Sequence, residues 1–197
     1  MAQPRRIGAE GSKMRARFVD AAEAILREEG GHAVSARVVA EKAGLKAQLL
    51  FYYFRTMDDL LRAVIRRINE RRLERFEQAL VSPEPLRALW DLNTDASSAI
   101  LAIELNALAN RREAIRAEIV DGARQFRLIQ TEAAKRLLPS SAGSAAGIVM
   151  IAASLARMLA NETALGLTEG HADAIAIVEQ FLARPESNTR EEETAPI

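Results

Sequence analysis

The chain has 197 residues, of which 49% are hydrophobic and 5% aromatic, with 27 Lys and Arg against 27 Asp and Glu, two histidines and no cysteine. That length suits one or two small domains with a substantial core, and the wealth of Ala, Leu, Arg and Glu favours helices over sheets. The absence of cysteine excludes a disulfide framework and any thiolate metal site, and a reducing, cytoplasmic setting is expected.

The opening stretch MAQPRRIGAEGSKMR is polar and lacks the apolar core of a signal peptide. Residues 1–10 and 185–197 read as flexible tails, the second carrying the run NTREEETAPI. Phe18, Ala22, Ile25 and Leu26 recur at helical spacing and define the buried face of a first helix. Gly30-Gly31 ends it, since glycine takes the left-handed conformation at a helix terminus without steric cost. Ser35 is placed to cap a short helix running to Ala43. Gly44-Leu45 supplies a tight turn, and a second short helix follows from about Lys46 to Tyr53. Thr56 opens a long helix, with Asp59 three residues on as a capping box and Asp58 at the positive helix end. Leu61, Val64, Ile65 and Ile68 form its buried stripe.

Pro83 and Pro85 break the chain. Further helices are predicted over 85–93, 96–109, 111–138, 143–166 and 171–184, separated by Pro139-Ser-Ser-Ala-Gly143 and by Gly166 to Gly170. The most apolar stretch, Ala145 to Ala160, contains Arg157 and Ser154 and falls short of the ~20 residues of a membrane span; no membrane association is expected. The charges within Glu104–Ile119 include Glu104, Arg111, Arg112, Glu113, Arg116 and Glu118, with Arg112–Arg116 and Glu113–Arg116 at helical contact spacing. They read as a salt-bridged surface, with Glu104 alternatively facing a cavity.

The segment SARVVAEKAGLKAQLLFYY (Ser35–Tyr53) carries the functional signal. Two short helices that cross at close range need a small residue where they approach, and Ala40 fills that need. Four residues later Gly44 supplies the positive φ that the turn demands. Val39, Leu45 and Leu50 fall where both helices must share a core with the first. Phe51-Tyr52-Tyr53-Phe54 follows directly. Part of that cluster must pack beneath the helix, and the remaining phenols can hydrogen-bond phosphate. The charge is divided to match: residues 1–75 hold 16 Lys or Arg against 10 Asp or Glu, whereas residues 76–197 hold 11 against 17. A basic first region facing a polyanion follows.

From Phe18 to Val64 the sequence FVDAAEAILREEGGHAVSARVVAEKAGLKAQLLFYYFRTMDDLLRAV resembles the tetracycline-repressor (TetR) family of regulators. The resemblance implies an all-α fold, with a three-helix, helix-turn-helix DNA-binding domain over 11–55 and a larger helical effector-binding and dimerisation domain over 56–184. It implies a sequence-specific transcriptional regulator, a repressor released from its operator by a small-molecule effector, with no enzymatic activity, cofactor or metal. Carried onto this sequence, Ser35 and Arg37 open the second helix where family members touch phosphate. Lys46, Ala47, Gln48 and Leu49 begin the recognition helix, the end that enters the major groove. Gln48 suits a paired hydrogen bond to adenine and Leu49 contact with a thymine methyl. Tyr52 and Tyr53 match the aromatic positions that clamp the backbone, and Thr56 the polar start of the fourth helix. The family often has lysine where Met57 stands, and Lys, Gly and Thr where Ala47, Gln48 and Leu49 stand, so a different operator is expected. Arg5, Arg6 and Lys13 form either a phosphate-seeking arm or a solubilising tail.

One recognition helix reads too few base pairs to find a site in a genome. A homodimer on a palindromic operator places two helices roughly 34–36 Å apart or a multiple of it. Ile148, Ile151, Ala152, Leu155, Met158 and Leu159 stripe one predicted helix, and Ile175, Val178, Phe181 and Leu182 the next. These stripes are expected to serve the dimer, with some of their residues given to the intrachain core. The effector is expected among the middle helices, with Trp90, Leu101, Leu105, Leu108, Phe126 and Ile129 as pocket wall and Asn93, Asn106 and Gln130 as polar anchors. Few aromatic and histidine residues there favour a moderately apolar ligand over a metal chelate. An enzyme is disfavoured because the chain has no Gly-rich phosphate loop and no Gly-x-Ser-x-Gly. A protein-only interaction module leaves the basic, aromatic-flanked first region unexplained.

Overall fold

The computed structural model describes residues 9–139 and 143–182. Among them every regular element is helical: α1 (Ala9–Glu28), a 3-10 turn (Gly31–Ala33), α2 (Ala36–Ala43), α3 (Ala47–Tyr53), α4 (Met57–Leu80), α5 (Pro85–Asn93), α6 (Ala96–Ala109), α7 (Glu113–Leu137), α8 (Ala145–Leu165) and α9 (His171–Leu182). Both predicted tails fall almost wholly outside the described residues, although α1 begins at Ala9, two residues inside the first.

Local chemistry sets the helix ends. The Ser35 hydroxyl accepts from the Val38 amide at 3.4 Å, and Gly44 closes α2 at φ 63° with its N–H on the Ala40 and Glu41 carbonyls. Thr56 and Asp59 form the reciprocal capping box, each side chain accepting from the other's backbone N–H at 3.1 Å. Pro85 occupies the first turn of α5, where its missing N–H costs nothing. Ser144 and the left-handed Gly166 bound α8.

The chain forms two compact units, Met1–Glu74 with Ser97–Arg124, and Arg75–Ala96 with Gln125–Ile197. In the first, Phe18, Ile25 and Leu26 of α1, Val39 of α2, Leu50 of α3 and Leu60, Leu61 and Val64 of α4 are buried together. Leu101 and Leu105 of α6 and Ile115 of α7 join the same core, so the three-helix bundle shares its interior with helices from much later in the chain. Each such side chain contributes about 1.5–3 kcal/mol through burial. Ion pairs tie the framework. Glu23 of α1 meets Arg67 and Arg71 of α4 at 2.9 and 3.0 Å, and Glu118 of α7 accepts from Arg62 and Arg66 of α4 at 3.0 and 2.7 Å.

The second unit has two apolar centres. Phe76 and Phe126 meet edge to face at 5.2 Å, with Ala133, Leu80, Leu89 and Leu92 around them. Trp90 packs with Ala156 and Leu159 of α8 and with Ala174, Val178 and Leu182 of α9.

The charged stretch Glu104–Ile119 is salt-bridged, with its ion-pair partners on α4. Arg112 bonds Asp58 at 2.9 Å, Arg116 bonds the Ala109 carbonyl at 3.2 Å, and the Glu104 carboxylate accepts from the Gly31 amide at 2.7 Å. Helical spacing permits i, i+4 pairing, but these helices lie against α4 and the bend after α1, which offer better partners. Helix α8 falls within the predicted span 143–166. Helix α8 runs 21 residues and is long and apolar enough, by length and composition, to cross a membrane.

Candidate nucleic-acid interface

The helix-turn-helix is assembled as its small residues require. Ala40 and Val39 are buried where α2 crosses α3, Leu50 is buried on the inner side of α3, and Leu45 packs half-buried beside them. Arg17 of α1 donates to the Ala43 carbonyl at 2.5 Å, placing a cation at the negative end of α2, where helix dipole and charge agree. Phe54 is buried just past α3, with the Arg15 guanidinium 4.8 Å above its ring.

Burying Leu50 and Phe54 forces the other side of α3 outward. Ala47, Gln48, Phe51 and Tyr52 are exposed along that side, flanked by exposed Lys46 and Arg55. Half of Phe51 and 63% of Tyr52 are open to solvent, although both are large aromatics. The Tyr52 ring stands edge-on to Tyr53 at 5.1 Å. Tyr53 is half-buried, its ring 6.3 Å from Phe18 and its hydroxyl toward Met14 Sδ at 3.9 Å. Tyr53 thus braces α3 from below while Tyr52 projects.

Of the remaining sequence-predicted contacts, Lys46, Ala47 and Gln48 are exposed, whereas Leu49 is half-buried against the core and offers only part of its side chain. Arg37 reaches into solvent at 83% exposure beside Glu41, 3.6 Å away. Ser35 and Thr56 are exposed, with their hydroxyls already engaged in capping. Sequence reasoning missed Phe51 and Arg55 as members of this face. The spacing 47, 48, 51, 52, 55, opposite Leu50 and Phe54, was the signal that marks them. Cationic side chains gather on the same domain: Lys13, Arg15 and Arg17 of α1 are exposed, while Lys42 is paired with Glu28.

The residues expected to hold an effector are divided. Leu101 and Leu105 are buried in the core of the first unit, Leu108 is half-buried beside it and Asn106 is exposed. In the second unit Trp90 and Phe126 belong to separate apolar centres, Gln130 is buried and Ile129 is 37% exposed. Asn93 donates to the Leu89 carbonyl of its own helix at 2.8 Å. Among the described residues no group of three His, Asp or Glu side chains is arranged to hold a metal ion.

Helices α8 and α9 present a large apolar surface to solvent. Ile151 is 69% exposed and Met158 57%; Met150, Leu165, Ile175, Ile177 and Phe181 are also exposed. Leu159 is buried inside the unit, and Ile148, Ala152, Leu155, Val178 and Leu182 are half-buried.

Residues 18–64 match the model of the family described as bacterial regulatory proteins, tetR family. No curated protein sequence matches the chain. Among solved structures, the chain is similar to NemR of E. coli in its reduced form, with 18% identity and a TM-score of 0.73 over 87% of this chain and 99% of that one. It is similar to a TetR transcription regulator from Haloarcula marismortui, at 17% identity and a TM-score of 0.67 over 87% and 97%. It also resembles the multidrug binding protein EbrR complexed with imidazole, at 23% identity and a TM-score of 0.62 over 94% and 96%. At such identities the likeness is one of fold, and it extends well beyond the matched domain.

Proposed function

We propose that this chain, whose residues 18–64 match the tetR family of bacterial regulatory proteins, is a cytoplasmic repressor that grips a palindromic operator as a homodimer and is released by a small molecule. The single observation that carries the DNA-binding part is the outer face of α3, where polar, aromatic and cationic side chains stand exposed opposite a fully buried Leu50. Gln48 offers a carbonyl and an amide group on one side chain, the pair that matches adenine N6 and N7 in the major groove. Tyr52, Arg37, Lys46 and Arg55 surround it with groups suited to phosphate, which set register without reading sequence. Ser35, Tyr53 and Thr56 act mainly through the geometry they fix. The exposed Ala47 and the half-buried Leu49 supply apolar edges for a thymine methyl.

Dimerisation is supported by the exposed apolar side chains of α8 and α9, since surface of this kind is rarely left in contact with water. The effector reading is supported by the small-molecule complex of the similarly folded EbrR. In this chain the second unit's Trp90, Asn93, Phe126, Ile129 and Gln130 are the proposed lining residues. Leu101, Leu105 and Leu108 act chiefly as packing. Such a ligand weakens DNA binding only by its differential affinity for the free and operator-bound conformations.

The test begins with fragments selected from the source genome by the purified protein. Affinity for the best fragment is expected to fall steeply with salt as counterions are released. Gln48→Ala should relax preference at one base pair per half-site, a loss of about 1–3 kcal/mol in discrimination. Protein that enriches no fragment, or a Gln48→Ala variant with unaltered preference, would overturn the reading.

A further inference from the structure

The bend between α1 and α2 is closed by a residue from far along the chain. Gly30 is left-handed at φ +84° and Gly31 is buried. The Gly31 N–H donates to Oε2 of Glu104 on α6 at 2.7 Å. The fit leaves no room to spare: a Cβ on Gly30 would stand 3.1 Å from that same oxygen, and one on Gly31 would stand 3.0–3.1 Å from three carbons of Leu108. Only the 3-10 turn and Val34 separate this point from Ser35, the cap of α2.

We infer that Glu104 is a positioning residue for DNA recognition, its carboxylate fixing the point at which the chain enters the helix-turn-helix. The inference rests on the DNA-binding reading and adds a residue that lies outside the α3 face. A hydrogen bond from a backbone amide to a carboxylate is stronger than a neutral one, and a buried amide left without a partner drives local rearrangement. Leu108 seats α6 on Gly31, so carboxylate and amide are held in register. Because α2 meets α3 closely at Ala40 and Gly44, loosening the bend loosens the recognition helix and reduces its preorganisation.

The test uses the full chain and its selected operator fragment. Glu104→Ala should weaken binding of the folded protein about five- to tenfold by loss of preorganisation, with an unchanged salt slope because no phosphate contact is removed. Glu104→Gln, whose amide oxygen still accepts from Gly31, should recover most of the affinity. Ile119→Ala, a core change in the same unit away from the bend, should lower the melting midpoint without altering the affinity of folded protein. Gly31→Ala should weaken binding, and adding Leu108→Ala should restore it by clearing space. Wild-type affinity in Glu104→Ala, a changed salt slope, or Glu104→Gln as weak as Glu104→Ala would overturn this inference alone. Wild-type protein that binds no DNA would overturn the DNA-binding reading and this inference with it.

Discussion

Glu23→Gln tests the framework that carries the recognition helix. Glu23 is 5% exposed and accepts charge-assisted bonds from Arg67, Arg71 and Arg27 at 2.9, 3.0 and 3.1 Å. Removing one member of a buried ion cluster costs about 3–5 kcal/mol. Here Arg71 is 50% exposed and Arg27 38%, so water replaces much of their loss, and Arg67 keeps Asp20 as a partner. Glutamine also preserves volume, leaving no cavity. A cost of about 2 kcal/mol follows, equivalent to about 4–8 °C in melting temperature for a chain of this size. The pH dependence adds a second constraint. Burial pushes the Glu23 carboxyl up, but bonds from Arg67 and Arg27 and the charges of Arg71 and Arg67 outweigh it and hold the group below its ordinary value. A carboxyl depressed in the folded state contributes stability above its unfolded pKa and loses it as pH falls through the folded one. The gap between wild type and variant, read by calorimetry at fixed protein concentration, should therefore be full at neutral pH and narrow on acidification below the ordinary glutamate range. A loss under about 1 °C at neutral pH, or a gap unchanged on acidification to about pH 3, would refute the reasoning.

Tyr52→Ala should lower affinity for all DNA sequences by a similar factor, measured by titrating specific and random duplexes, because an exposed phenol beside the backbone carries no sequence information. Ile151→Asp should shift the sedimentation coefficient from dimer to monomer and abolish tight operator binding, since it buries a charge in the proposed α8 interface. Gly44→Ala should cost about 1–2 kcal/mol in urea denaturation, because φ is +63° and the new Cβ would press on Arg17 Nη2 at 3.1 Å.

The fold was legible wherever a single residue type decides a local conformation. Ser35, Gly44, the Thr56–Asp59 pair, Pro85 and Gly166 each act within four residues, and the helix boundaries they mark agree with the structure to within about two residues. What pattern could not supply is the partner of a charge. Glu113 and Arg116 sit at a spacing that admits pairing along their own helix, whereas Glu118 has no such neighbour, and only the packing of α7 shows Arg62 and Arg66 to be its donors. Helix α6 resisted for a related reason. It is apolar on nearly every side, so periodicity does not reveal that Leu101, Leu105 and Ala109 face inward while Ile100 and Ile103 are exposed.

The interface was legible in its scaffold and partly hidden in its surface. Small residues at Ala40 and Gly44 announce that two helices cross, because steric need at a crossing is strict. Choosing which side chains of a seven-residue helix face DNA requires its phase. That phase is fixed by Leu50 and Phe54, not by chemical type. Carrying positions over from the family resemblance selected Leu49 and Tyr53, which the core partly claims, and passed over Phe51 and Arg55, which stand open. Glu104 lay beyond either route. Its partner is a glycine amide 73 residues earlier, and no local period connects a carboxylate on a middle helix with an amide at a bend. In an amphipathic helix this short, the buried residues therefore inform on function as much as the exposed ones do, because they settle which way everything else must point.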